Sequence, residues 1–465
     1  MNIVWFRYDL RLENNQALYN ASLNNQPILP IFIIDKHVLS LGKCNLVWLY
    51  HSLTNLDKLC HNKLMILEGD SIEIIDKLIA KYAITNIYYN KVYEPNYLLM
   101  DKKLELTIRE KYCDQINIDS FNSSLLFEPS SIKNKSGGNY NVFTPFYKCC
   151  LENINLIDDL LPNIKINFVN NITITKNITS LITIANQKWA IDIVKNWQIG
   201  SEYTLTKFSN FLQNLIVNYK IGRDIPSINA VSKLSPHIHF GEISVNQIYH
   251  NIKSYMIDVN YEHFFRELCW REFSYNILFY NNRLPFDNIN KKFDNFSWDN
   301  NIDLYNKWTR GNTGIPIIDA GMRELWQTGY MHNRVRMIVG SFLVKNLLVH
   351  WHYGAKWFND CLFDASIASN SASWQWVSGC GVDAAPYFRI FNPILQGQKF
   401  DSEGIYIKKY IPELSNLSTE YLFNPWLAPQ DILAKASIKL GIDYPYPIID
   451  LSQSRNRALE IYQSL

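Results

Sequence analysis

The chain is short of several things that would have settled its class at once. Its eight cysteines form no CxxC spacing and no paired pattern, and Cys149 and Cys150 are merely adjacent. Reduced thiols in an intracellular protein are the expectation. His350 and His352 stand too close for a helical metal pair, and no further ligand residues surround them, so no metal site is read. No apolar run reaches membrane-spanning length, and the N-terminus enters directly into a strand pattern without a leader. The expected protein is cytoplasmic, with no membrane partner. Net charge is only +2, so no global field marks a nucleic-acid binder and any DNA contact must come from a local cluster. GxGxxG after the first strand and a phosphate loop are both missing, which disfavours an ordinary nucleotide-binding Rossmann domain.

What is present is core. Hydrophobic residues make up 47% and charged residues 19%, a balance that excludes disorder and supports a large interior. At 465 residues the chain has room for two to three domains. Apolar runs at residues 2–6, Ile28–Ile34, Leu64–Glu68 and Asn86–Asn90 read as strands. Helical patterns at Leu46–Cys60 and 70–82 alternate with them, which argues a doubly wound parallel α/β sheet over 1–129. Residues 130–195 turn polar, Gly-rich and then Asn-rich, and read as a long interdomain connection. From 196 to 465 helical periodicity takes over, beginning with an apolar face of Phe208, Phe211, Leu212, Leu215 and Ile216. The fold class is therefore α/β followed by a large all-α domain.

The segment Asp319–Asp401 carries the chemistry. Asn333, Arg336 and Met337 fall at i, i+3 and i+4 and share one face of a helix that is otherwise apolar. Each polar group buried there needs a partner or costs roughly 1–3 kcal/mol. Downstream come a carboxylate (Asp364), an amide (Asn370), two tryptophans (Trp374, Trp376) and a Gly-containing turn. Such a set suits a large, polar, aromatic ligand. A second helix, HFFRELCWREFSYNIL, repeats the i, i+3, i+4 spacing with Glu267, Trp270 and Arg271. Alone, that is an exposed ion pair worth about 0.2–0.5 kcal/mol.

The motifs MHNRVRM, D-A-x-x-A-x-N, WQW and DAAPYFRIFNP-x-x-Q-x-x-KFD resemble the flavin-binding core of the DNA photolyase/cryptochrome family. WFRYDLRLENNQAL, LSPHIHFGEIS and RELCWREF extend the resemblance over nearly the whole chain, closest to the microbial cyclobutane pyrimidine dimer (CPD) photolyases. The resemblance implies an N-terminal antenna domain and a helical FAD-binding domain. It also implies light-driven electron transfer from fully reduced FAD to a flipped-out dimer in DNA, with the electron returned. By the same resemblance Tyr219, Ser232, Lys233, Leu234 and Ser235 line the flavin phosphates and ribityl chain, with Val231 standing where a hydroxyl residue is common. Asn370 faces the flavin N5, Asp364 pairs with Arg336, and Asn333 bonds toward the flavin and adenine edge. Glu267 bonds to the flipped bases, Trp270 and Trp376 stack on them, Met337 lies in the catalytic pocket, and Arg271 touches either flavin phosphate or the pocket wall. Trp374, Trp351 and Trp298 match an electron relay from flavin to surface. Arg223, Arg334, Arg389 and Lys399 are the implied DNA contacts, which position the backbone without reading sequence.

Two positions depart from the family pattern. Ser366 stands where a second acid is usual; a hydroxyl can donate or accept but carries no charge. Tyr97 replaces an acidic residue in the region of YYNKVYEPN, which lines a folate antenna in some members, so folate, deazaflavin or no antenna all stay open. Two other functions remain. One is a cryptochrome-like blue-light sensor, against which the chain ends without a signalling tail. The other is a (6-4) photolyase, which would place histidines at Asn333 and Met337. A monomer acting on DNA with pyrimidine dimers is the expectation.

Overall fold

A computed structural model describes residues 1–170 and 172–465, and its contacts divide the chain into two compact units. Unit 1 comprises Met1–Asn214, Ser232–Asn282 and Phe363–Ala368; unit 2 comprises Leu215–Val231, Arg283–Leu362 and Ser369–Leu465.

Unit 1 is built on five parallel strands: β1 (Asn2–Phe6), β2 (Ile28–Ile34), β3 (Met65–Glu68), β4 (Asn86–Asn90) and β5 (Asn117–Phe121). Their order is β3-β2-β1-β4-β5, the doubly wound arrangement expected from alternating strand and helix patterns. Every residue of β1 and β2 is buried, as a sheet covered on both faces requires. Side chains alternate between the two sides: Val4 and Phe6 enter one cluster with Trp48, Leu49 and Leu53, while Ile3 and Trp5 enter the other with Leu104 and Ile108. β5 (NIDSF) is not legible in the sequence, because a half-exposed edge strand offers no apolar run. At the carboxyl end of β1 a salt bridge of 2.7 Å joins Arg7 to Asp101, and Arg7 also donates to the Asn90 carbonyl at the end of β4. This pair fills the strand-order switch point, where such sheets usually bind ligands.

The segment read as a connection is more structured than its composition suggests. It holds helices Phe143–Glu152, Thr179–Ala185 and Lys188–Val194. Phe168, Leu181, Ala190 and Ile193 join the core of the sheet. Apolar anchors spaced this widely in an Asn-rich stretch produce no periodic signal.

The helix read through Phe208–Ile216 is also altered. It runs as α-helix over Ser201–Asn210 and then opens into a π-helical turn at Phe211–Leu215. The wider turn breaks the expected stripe: Phe208, Phe211 and Ile216 are buried, whereas Leu212 and Leu215 are only half-buried. Unit 2 is helical, and Pro316–Thr328, Asn333–Ser341, Trp351–Cys361 and Ile405–Tyr410 are among its helices. Among the described residues, no helix is long and apolar enough to cross a membrane.

Candidate functional site

In unit 1 the central element is the helix Val259–Tyr280, capped by Asp258, whose side chain accepts from the Asn260 N–H. Its Glu267, Trp270 and Arg271 are placed together by helical spacing. Trp270 is half-buried, and its indole lies flat on Phe143, with centroids 3.7 Å apart and planes 7° from parallel. Arg271 donates to the Ser124 carbonyl at 2.8 Å and to Glu272 Oε1 at 3.2 Å, and sits 4.8 Å over the Tyr275 ring. Glu272 escapes a reading of the sequence. It is buried and accepts from the Leu126 N–H at 2.9 Å, so it ties the stretch after β5 to this helix. Burial pushes its carboxyl up to about 7.

Ser366, at the position of the missing acid, is buried and shares a hydrogen bond with the phenol of Tyr275. Asp364 accepts from the Ser235 hydroxyl at 2.6 Å. His239 lies close to both Asp364 and Arg271, and burial lowers its imidazole to about 4, which leaves it neutral near pH 7. Lys233 adopts a left-handed backbone conformation (φ 52°) in the turn that leads to the buried Leu234. Ser232 Oγ accepts from the Leu234 N–H at 3.3 Å. Lys207, which carries no sequence signal, is near enough to Lys233 for the two charges to repel; burial and that repulsion bring its ammonium down to about 8. The Ser232 and Ser235 hydroxyls and the Lys207 and Lys233 ammoniums are a donor set suited to phosphate oxygens.

In unit 2 the helix Asn333–Ser341 is capped by His332, whose Nδ1 accepts from the Arg334 N–H at 3.3 Å. Val335, Ile338 and Val339 are buried, while Asn333 is exposed and Arg336 and Met337 are half-buried. The polar face is therefore not a core face, and its groups do not carry the full burial cost that the sequence suggests. Arg336 donates through Nε to the Met331 carbonyl at 2.7 Å. Arg334 forms a 2.7 Å salt bridge with Asp224, stacks over Phe400 at 4.4 Å and approaches the Met337 sulfur at 3.7 Å. Tyr219 is buried, with Arg223 over its ring at 5.9 Å. Arg389 and Lys399 are exposed.

The helix Ile367–Ser378 carries Asn370, Trp374 and Trp376. Asn370 donates its amide N–H to the Ala355 carbonyl at 2.9 Å, which orients the amide and turns its oxygen into the acceptor on offer. A flavin ring nitrogen that carries hydrogen is a donor of matching kind. Trp374 is 3% exposed and wedged against Gly354, where a Cβ would overlap three atoms of the indole. Trp351 is fully buried and donates through Nε1 to Asn288 Oδ1 at 2.8 Å. His350 links it to the half-buried Trp298, with ring centroids 5.6 Å from Trp351 and 5.0 Å from Trp298. Exposure therefore rises toward Trp298. Trp376 is half-buried. In the antenna region of unit 1, Tyr97 is buried against Tyr8 and His37, with centroids at 5.8 and 5.5 Å.

Known proteins share this sequence and this fold. Residues 2–165 match the family described as DNA photolyase, and residues 264–464 match the FAD binding domain of DNA photolyase. The chain is 42% identical to a deoxyribodipyrimidine photo-lyase of Agrobacterium fabrum over 100% of its own length and 98% of the relative's. It is 32% identical to Cryptochrome-2 of Arabidopsis thaliana over 97% of its length and 77% of the relative's. Its fold matches a crystal structure of a bacterial class III photolyase from Agrobacterium tumefaciens with a TM-score of 0.95 and 42% identity, covering 100% of this chain and 97% of that one.

Proposed function

The chain belongs to the DNA photolyase/cryptochrome family, and on that premise we propose that it is a CPD photolyase, a carbon–carbon lyase that repairs pyrimidine dimers in DNA under light. The observation that carries this reading is the helix face of Glu267, Trp270 and Arg271, where a half-exposed indole shares its face with a carboxylate. A dimer must be flipped out of the duplex to be reached, and a damaged pair is the least costly to extrude. An indole face then stacks on the exposed base for roughly 1–3 kcal/mol. Trp270 and Trp376 fill that role, and Glu267 offers a hydrogen bond to the flipped bases. Arg223, Arg334, Arg389 and Lys399 hold the DNA backbone.

FAD in its reduced form, when bound, supplies the electron that opens the cyclobutane ring and takes it back, so there is no net redox change. Its phosphates fit the donor set of Ser232, Lys233, Leu234 and Ser235, with Tyr219 and Arg271 as further contacts. Asn333, Arg336, Asp364, Ser366 and Asn370 orient the ring system and set the charge around it. Met337 and Asn333 keep the pocket free of protonatable imidazole, which favours ring opening over the group transfer a (6-4) lesion demands. Trp374, Trp351 and Trp298 restore the reduced state from the surface. The functional division follows as antenna domain 1–129, connection 130–195 and flavin- and lesion-binding domain 196–465, in a cytoplasmic monomer.

Light sensing is the second reading, favoured by the identity to a plant cryptochrome. An absorption spectrum of the purified protein should show FAD, and a further band would reveal a folate or deazaflavin antenna. Repair separates the two functions, since a sensor has no need to turn over dimers. Glu267→Ala should keep the FAD and lower the yield of dimer repair; unchanged repair in the variant would remove Glu267 from the site.

A further inference from the structure

The flat contact between Trp270 and Phe143 belongs to a longer stack. Tyr147, one helical turn beyond Phe143, lies behind it with centroids 5.9 Å apart and planes 18° from parallel. Tyr147, Phe143 and Trp270 thus form three roughly parallel rings, and only the last belongs to the lesion-facing helix. Phe143 is 1% exposed, too buried to meet a ligand itself. Arg266 holds the middle of the stack, its guanidinium 5.2 Å from the Phe143 centroid and 5.1 Å from that of Tyr147. The Tyr147 hydroxyl donates to Glu262 at 2.7 Å, which fixes the far end to the Val259–Tyr280 helix. Phe273 meets Trp270 edge-on at 5.8 Å and 71°, blocking rotation of the indole from the side.

We propose that Phe143 is the positioning residue for dimer recognition: it holds the Trp270 indole in the plane that a flipped-out pyrimidine stacks on. The inference rests on the reading that Trp270 stacks on the lesion. An indole free to rotate would lose side-chain entropy each time a base docked, whereas one held flat on a buried ring has already lost it. The added base extends an existing ladder of three rings to four. Phe143 therefore acts on affinity for the dimer and leaves the light-driven step untouched. It also gives the connecting segment a function that its composition hides.

The test uses FAD-loaded full-length protein, a CPD-containing oligonucleotide and the same oligonucleotide undamaged, with binding measured in the dark. Phe143→Leu keeps an apolar side chain but removes the flat ring; Phe143→Met does the same with a different shape and serves if the first loses FAD. Either should weaken dimer binding roughly tenfold, the scale of one aromatic pair. Affinity for undamaged DNA, FAD content and single-turnover repair at saturating enzyme should not change. Phe143→Tyr retains the ring and should bind the dimer within about twofold of the wild type. In Trp270→Ala, already weakened, adding Phe143→Leu should cause no further loss. Equal weakening toward both oligonucleotides, normal dimer binding in Phe143→Leu and Phe143→Met, or additive losses in the double variant would each overturn the proposal. Normal dimer binding in Trp270→Ala would instead sink the stacking reading on which it rests.

Discussion

Trp270 and Trp374 are both functional tryptophans by family pattern, yet their surroundings differ in kind. Trp270 lies parallel to its neighbour and is half-exposed; Trp374 is 3% exposed and meets Phe358 and Trp308 edge-on, at 5.0 and 6.3 Å with planes 72° apart in each case. A base needs a presented face, which only the first arrangement provides. An electron donor needs a fixed, dry position, which the second provides through close packing. Burial and ring orientation, not residue type, separate recognition from relay.

The largest expected effect bears on the second of these. Trp374→Phe should abolish light-driven reduction of oxidised flavin, while chemically pre-reduced enzyme continues to repair dimers. Ordinary photoreduction in this variant would take Trp374 out of the relay. Next in size is Gly354→Ala, whose methyl would collide with three indole atoms of Trp374. Alanine is the better helix former, but the overlap should dominate and cost about 1–3 kcal/mol of stability. Thermal melts check this, and a variant more stable than the wild type would show that the indole is not tightly held.

How much of this is legible in the sequence depends on the span of each feature. The i, i+3, i+4 faces of Glu267–Arg271 and Asn333–Met337 lie within single helices, so spacing alone locates them. The alternation of strands and helices likewise announces the sheet. Partners distant along the chain leave no trace: Phe143 behind Trp270, Asp224 beside Arg334, and Tyr275 beside Ser366 are pairings made by the fold. Burial is misread where a helix presents a polar stripe, as at the exposed Asn333. An apolar composition does not say which face is covered.

Smaller effects sharpen the recognition side. Ser366→Ala removes the hydrogen bond to Tyr275 and should weaken FAD retention by about 0.5–1.5 kcal/mol, read by dialysis and residual flavin absorbance. Retention equal to the wild type would show that this edge does not depend on residue 366. The smallest effect concerns Glu272, beside Arg271, whose carboxyl rises from 4.5 to about 7 on burial. Because the folded state holds the proton more tightly, its contribution to stability is complete below the unfolded value and is lost as pH rises toward 7. Glu272→Gln should therefore flatten the decline of melting temperature between pH 4.5 and 7. His239, lowered to about 4, works in the opposite sense, losing stability as pH falls from 6.5 toward 4. An identical slope in the Glu272 variant would exclude that residue as the titrating group.

The most direct test is to illuminate reduced enzyme with two oligonucleotides, one carrying a cyclobutane thymine dimer and the other a (6-4) product, and to separate the products. Asn333 and Met337 cannot protonate near neutral pH, so they offer no acid–base help for moving a group between bases. Opening a cyclobutane ring needs mainly an electron. Light-dependent loss of the cyclobutane dimer, with the (6-4) product unchanged and no reaction in the dark, is the predicted result. Turnover of the (6-4) oligonucleotide alone, or of neither, would contradict it.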